Sequence, residues 1–207
     1  MAGLLTVSLV PISVKVLYIL FFPLAVISRY LICSAFWDYG HELYRSTPET
    51  FPATFLVGDV LDDAFLPSGK TLPKAPETPC PDFHSLTSFR PLTGRVSVIY
   101  IARFFHLFSE GEQVEVACKL ASLLSPKLGS TIFGTHIGLP EHLPMNCSDS
   151  SMVFFRHSPQ SWRELWEDKV FAGRPVKLDV TVSRVSDQSR HMGRSDEHLL
   201  TWSVVML

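Results

Sequence analysis

Apolar positions along the chain fall into short blocks of two different periods, and the order of those blocks predicts the fold. Phe36 to Arg45 (FWDYGHELYR) sets Phe36, Tyr39 and Leu43 on one stripe, with Asp38, Glu42 and Arg45 off it. That spacing predicts a short amphipathic helix, ended by Ser46, Thr47 and Pro48. Phe51 to Val57 is a compact apolar run bounded by Pro48 and Gly58, the pattern of a buried strand, and Asp59 follows it at once. Leu61 to Gly94 then carries Pro67, Pro73, Pro76, Pro79, Pro81 and Pro91, which excludes a helix or a central strand. A long loop is predicted there, and loops of that length often shape access to a site.

Val96 to Ile101 (VSVIYI) reads as the next buried strand. Ser109 and Glu112 form a capping box ahead of Val114, Ala117, Cys118 and Ala121 at helical spacing, and the helix stops at Ser125 and Pro126. Ser130 to Ile137 (STIFGTHI) is a further strand, closed by Gly138 and Pro140. Ser161 and Glu164 repeat the capping-box spacing before a helix with Trp162, Leu165, Trp166 and Val170 on one face, ended near Gly173 and Pro175. Val176 to Val185 and part of Leu199 to Leu207 alternate apolar and polar residues, so a closing antiparallel pair is expected. Strands alternating with helices predict an α/β fold, a Rossmann-like doubly wound sheet with an antiparallel C-terminal strand pair.

The first 33 residues stand apart. From Leu4 to Ser28 the only charge is Lys15, and eleven of the thirteen residues from Val16 to Ser28 are hydrophobic. The stretch has the length and hydropathy of a membrane span, but Pro11, Lys15 and Pro23 interrupt it. Three readings stay open: an anchor, a buried strand or helix, or sequence foreign to the domain. The division expected is a hydrophobic segment over 1–33 and a folded domain over 34–207.

Composition narrows the rest. The chain has 207 residues, 46% of them hydrophobic and 18% charged, which excludes a disordered tail, a collagen or a small disulfide scaffold. Eighteen basic against 20 acidic residues leave a formal charge of −2, so no nucleic-acid partner is expected. Cys33, Cys80, Cys118 and Cys147 lack metal-site spacing, as do the eight His, so free thiols in a reducing compartment and no metal are expected.

Ligands of an open α/β sheet bind beyond the carboxyl ends of its strands. Those ends are Asp59 and Val60, then Ala102 to His106, then Thr135 to Gly138. An acid there can accept hydrogen bonds from a nucleoside, although Gly-Asp is also an ordinary turn. The segments SAFWDYGHELYR, FPATFLVGDVLD, VSVIYIARFFHLFSEGEQVEVACKLASLLSPKLGSTIFGTHIG and HSPQSWRELWE and the terminal TWSVVML resemble fungal class I methyltransferases that use S-adenosylmethionine in secondary metabolism, those of meroterpenoid and polyketide pathways above all. The resemblance runs from Ser34 to Leu207.

What the resemblance implies is a seven-strand sheet with a reversed last strand and methyl transfer to a carboxylate or hydroxyl oxygen of a hydrophobic metabolite. It assigns Asp59 to the adenine amino group, Val60 to packing at the adenine, and Ile101 and Ala102 to the cofactor near the substrate entrance. Arg103 stands where the family commonly has small residues. The family's Gly-rich turn has no counterpart, since the only glycines before residue 50 are Gly3 and Gly40, so the N-terminal part is incomplete by that pattern. The acid expected on the ribose would fall near Leu31. A phenol acceptor would call for a base, with His106 the first candidate and His136 the second; packing between Phe105 and Leu107 is the competing role for His106. Phe104, Phe105, Phe108, Trp162 and Trp166 are expected in the core.

Two rival readings remain: an inactive, truncated remnant of such an enzyme, and a protein anchored to a membrane through residues 4–28 rather than cytoplasmic. Self-association is left open.

Overall fold

The computed structural model describes residues 3–9, 15–20, 34–47, 49–51, 53–141, 155–184 and 198–207. Seven strands form one sheet: β1 (Gly3–Leu9), β2 (Lys15–Leu20), β3 (Ala53–Gly58), β4 (Val98–Ala102), β5 (Thr131–Gly138), β6 (Val176–Arg184) and β7 (His198–Met206). Their order across the sheet is β3-β1-β2-β4-β5-β7-β6. Helix α1 (Ser34–Tyr44) leads from β2 towards β3, α2 (Glu110–Leu123) joins β4 to β5, and α3 (Pro159–Arg163) precedes β6. This is a Rossmann-like α/β arrangement, and the closing pair β6–β7 is antiparallel as the alternation predicts, from Val176 opposite Met206 to Arg184 opposite His198.

The middle of the sheet is parallel, β2 with β4 and β4 with β5. β1 runs antiparallel to both of its neighbours, so β3 points the same way as β2. The carboxyl ends of β3, β2, β4 and β5 therefore share one edge, with the amino end of β1 among them: Gly3 lies opposite Gly58. Thus part of the apolar start of the chain is strand, placed between β3 and β4. Residues 21–33, Leu31 among them, lie outside the described residues. No helix among the described residues is long and apolar enough to cross a membrane.

Local chemistry explains the clearest elements. Ser109 caps α2 by accepting a hydrogen bond from the Glu112 amide at 3.4 Å, while the Glu112 carboxylate accepts from the Ser109 amide at 2.8 Å. α2 then buries Val116, Lys119, Leu120 and Leu123 on one face. The next helix departs from expectation. Its capping box is Ser158 with Ser161, three residues earlier than Ser161 with Glu164, because Pro159 takes the first helical position, where no amide donor is needed. From Glu164 to Val170 the turns widen to π-helical form, and Trp162, Leu165 and Trp166 are buried.

The Pro-rich segment after β3 is a crossover that carries its own apolar filling. Phe65, Leu66, Phe83, Leu86, Phe89 and Leu92 are buried, and the Phe65 and Phe89 rings meet edge to face at 5.1 Å. Arg90 donates to the Asp63 carbonyl at 3.0 Å and Arg174 to the Leu72 carbonyl at 2.9 Å. Phe65 folds back onto Gly58, where a Cβ would come within 2.4 Å of the ring. Only glycine leaves room for that return.

Candidate active site

The carboxyl edge carries two clusters, one beyond β4 and β5 and one beyond β3. At the first, Ile101 is fully buried, in register with Ile19 of β2 and Gly134 of β5, and Ala102 is half-buried beside Leu20 and Thr135. β4 and β5 approach so closely here that a Cβ on Gly134 would lie 1.7 Å from the Ile101 carbonyl oxygen. The chain then turns sharply. Arg103 is exposed, has φ +48°, and donates its amide to the Thr135 carbonyl at 2.6 Å. A non-glycine residue in the left-handed region is held there by its surroundings at some cost in free energy.

One tight turn, Phe105–Leu107, follows. Phe104, Phe105 and Phe108 are buried, as the sequence predicts, and His106 is half-buried between them with its Nδ1 buried and lacking a hydrogen-bond partner. Burial first, then the positive charges of Arg156 and Arg103, push the His106 imidazole down to about 4. The ring is neutral near pH 7.

Arg156 is brought here from far along the chain. The Phe155 amide donates to the Phe108 carbonyl at 3.4 Å, and the buried Gln113 side-chain amide donates to the carbonyls of Phe108 (3.0 Å) and Phe155 (2.8 Å). The Leu139 amide donates to the His157 carbonyl at 2.9 Å, tying the same segment to the end of β5. The charges of Arg156 and Arg103 thus both act on His106.

Below this lies an aromatic cluster. Phe105 packs within 5.1 Å of Trp162 and 6.0 Å of Trp202, and Trp162 and Trp202 stand 4.9 Å apart. His136, the second candidate base, is not at the surface of the site but inside this cluster: it is 1% exposed, its ring lies 4.4 Å from Trp162, and neither ring nitrogen has a hydrogen-bond partner. Burial, and then the neighbouring His157 and His106, push its pKa well below the usual value. The indole N–H groups of Trp162, Trp166 and Trp202 are likewise buried without acceptors.

The second cluster begins at Asp59, half-buried just past β3. Its Oδ1 accepts from the Leu61 amide at 2.9 Å, and its carbonyl accepts from the Asp62 amide at 3.1 Å. Val60 is fully buried in the core, beneath the edge rather than open to it. Lys119 reaches this turn from α2: although 1% exposed, its ammonium contacts the Leu61 carbonyl (2.6 Å), Asp63 (2.8 Å) and Glu115 (3.0 Å).

The structure thus brings Ile101, Ala102 and His106 together and sets Asp59 and Val60 apart, across β1 and β2. Sequence reasoning passed over Arg156 and Lys119. Lys119 carried a readable signal, since it lies three residues after Val116 and four before Leu123 on the buried stripe of α2. Arg156 carried none, because only the straps from Phe108, Gln113 and Leu139 place it.

Comparison with known proteins finds fungal methyltransferases to which the chain is similar. The chain is 27% identical over 158 residues to the O-methyltransferase phiE of a fungal species, covering 74% of this chain and 43% of that protein. It is 28% identical over 145 residues to the methyltransferase adrK of Penicillium rubens, covering 70% and 44%. To the methyltransferase ausD of Aspergillus calidoustus it is 30% identical over 138 residues, covering 63% and 50%. Among solved structures, a 16S rRNA (adenine(1408)-N(1))-methyltransferase from Catenulisporales acidiphilia aligns over 56% of each chain with 15% identity and a TM-score of 0.36. No family model matches. By sequence the chain is thus similar to fungal methyltransferases, and it spans between 43% and 50% of the length of the three relatives named.

Proposed function

We propose that the chain acts as an S-adenosylmethionine-dependent methyltransferase on a hydrophobic fungal secondary metabolite, and that the oxygen it methylates belongs to a carboxylate. The relatives' names support methyl transfer, and one of them specifies oxygen. What supports a carboxylate is the pair of arginines, Arg103 and Arg156, whose positive charges both act on a neutral His106.

The residues at the carboxyl edge suit the two ends of the cofactor. Asp59 is a carboxylate with lone pairs for the adenine amino group. β3 and β4 are three strand spacings apart, roughly 14 Å, a span that an extended nucleoside joined to an amino acid can bridge. Between them, β1 presents its amino end, Gly3 and Leu4, which offers no acid to the ribose hydroxyls. That gap favours a second reading, an inactive remnant, and makes cofactor binding the first thing to measure.

When bound, S-adenosylmethionine supplies an electrophilic methyl group on a sulfonium. The chain's own work is then binding, orientation and exclusion of water. A carboxylate attacks as the anion it already is near neutral pH, so no proton has to leave in the step. A phenol would need a base, and an imidazole held at about 4 is a weak one at pH 7. A neutral His106 is better suited to donate its ring N–H to the acceptor carboxylate, while Arg103 and Arg156 hold its charge. Phe104, Phe105 and Phe108 wall the turn off from water.

Titration calorimetry with S-adenosylmethionine, followed by methyl-transfer assays on a hydrophobic aromatic acid and the matching phenol, tests this reading. Saturable cofactor binding and methyl ester formation on the acid are expected, with loss of ester formation in Arg103→Gln/Arg156→Gln. Absence of cofactor binding would favour the remnant. Methylation of the phenol in preference to the acid would overturn the assignment of the acceptor.

A further inference from the structure

Resting on the methyltransferase reading, we infer that Lys119 is a positioning residue for the nucleoside end of the site, acting on Asp59 through Leu61. The link is continuous in the structure. Lys119 Nζ donates to the Leu61 carbonyl at 2.6 Å, and the Leu61 amide donates to Asp59 Oδ1 at 2.9 Å. Lys119 therefore grips the residue whose amide holds one oxygen of the Asp59 carboxylate. Its remaining two donors go to Asp63 at 2.8 Å and Glu115 at 3.0 Å, so all three hydrogens of the ammonium are used.

Stability alone does not call for this arrangement. Replacing every member of a buried ion pair by apolar side chains is often neutral or stabilising, because no charge then has to be taken out of water, whereas removing one partner alone leaves the others unpaired. The turn also has other anchors: Ser68 donates to Asp63 Oδ1 at 2.6 Å, Arg90 donates to the Asp63 carbonyl at 3.0 Å, and Phe65 rests on Gly58. These anchor the crossover at points other than Lys119. The Leu61 side chain packs against the core, but none of these anchors bonds to its carbonyl, which Lys119 holds. Burial works against the ammonium, yet Asp63 and Glu115 outweigh it and keep the pKa of Lys119 above its usual value, so the grip persists across the physiological range.

Lys119→Met keeps the length of the side chain and removes the charge. Calorimetry on the full chain with S-adenosylmethionine, and separately with adenosine, should show both bound about tenfold more weakly, a factor that corresponds to about 1.4 kcal/mol. The two ligands should lose the same factor, because the effect lies at the nucleoside end they share, and kcat at saturating cofactor should stay unchanged. In an Asp59→Ala background the Lys119 substitution should have no further effect, since both act through one carboxylate; a purely structural role predicts losses that add. Hydrogen exchange at the Leu61 amide should quicken in Lys119→Met.

A folded Lys119→Met chain with unchanged affinity would overturn the inference, as would a full further loss in the Asp59→Ala background. Should Lys119→Met fail to fold, Asp63→Asn at the exposed arm of the clamp takes its place, with a weakening of about threefold expected by the same conversion and unchanged affinity overturning. Should the wild-type chain bind neither ligand, the methyltransferase reading itself fails; faster Leu61 exchange would then still support the grip, and unchanged exchange would overturn it.

Discussion

The two ends of the carboxyl edge solve the burial of polar groups in opposite ways. Beyond β3 a full charge is buried at Lys119, and every donor it has finds an acceptor. Beyond β4 and β5 the buried His136 is neutral near pH 7, and His136, Trp162, Trp166 and Trp202 have buried ring nitrogens without hydrogen-bond partners inside an aromatic cluster. A satisfied buried charge specifies position, because its partners sit at fixed distances. An aromatic cluster with unsatisfied nitrogens is held by area and packing, and it gives up hydrogen-bond energy to be there. The first arrangement suits the fixing of a loop, and the second suits a floor beneath a reactive turn.

The largest break in that comparison should come from the cluster. Trp162→Ala removes a fully buried ring in contact with Phe105, His136, His157, Trp166 and Trp202 and should cost about 3–5 kcal/mol in denaturant unfolding. A loss under about 1 kcal/mol would mean that the cluster is not the packed floor described. On the other side, Lys119→Met strands the Leu61 carbonyl and should cost less, about 1–3 kcal/mol by the same measurement. Asp63 and Glu115, both partly exposed, can turn to water.

Acid should separate the two regions without any mutation. His106 and His136 have folded-state pKa values below that of an unfolded histidine, near 6.5, so the unfolded chain binds more protons. Their contribution to stability is whole above about pH 6.5 and is lost as pH falls towards about 4, the value for His106. In the clamp, the hydrogen bonds from Lys119 and Ser68 hold the Asp63 carboxyl down to about 2, so its share is lost only below the usual carboxylate range. Thermal unfolding followed from pH 7 to pH 4 should decline in the wild type and flatten in His136→Phe. An equal slope in both would remove His136 as the cause.

The smallest effect is expected at Arg103. Arg103→Gly frees a left-handed residue of its Cβ and should raise stability by about 1 kcal/mol, while acid methylation falls. A stability gain with unchanged activity would show that the backbone turn matters and the guanidinium does not.

Much of this was legible in the chain, for local reasons. The capping of α2 needs only Ser109 and Glu112 three residues apart, and the alternation from Val176 and from Leu199 announces the closing pair. The start of α3 shows the limit of such reading, since two serine-led boxes overlap there and Pro159 decides between them. The apolar start of the chain was less legible still: hydropathy is the same for an anchor, a core strand or a helix, and only pairing partners tell them apart.

At the site, Asp59, Val60, Ala102 and His106 stand at or just beyond predicted strand ends, because strand ends follow from strand boundaries, whereas Ile101 and the cofactor roles came from the family resemblance. The sequence did not reach the Lys119 grip on Leu61 or the approach of Arg156 to His106, since those contacts join residues 58 and 50 positions apart in the chain. By itself the sequence determined the kinds of elements and most of their limits, because caps, glycines, prolines and periodicity act within a few residues. The tertiary structure alone decided the reversed direction of β1, the full burial of His136 and the saturation of Lys119, because direction, burial and hydrogen-bond partners exist only once distant segments share a space.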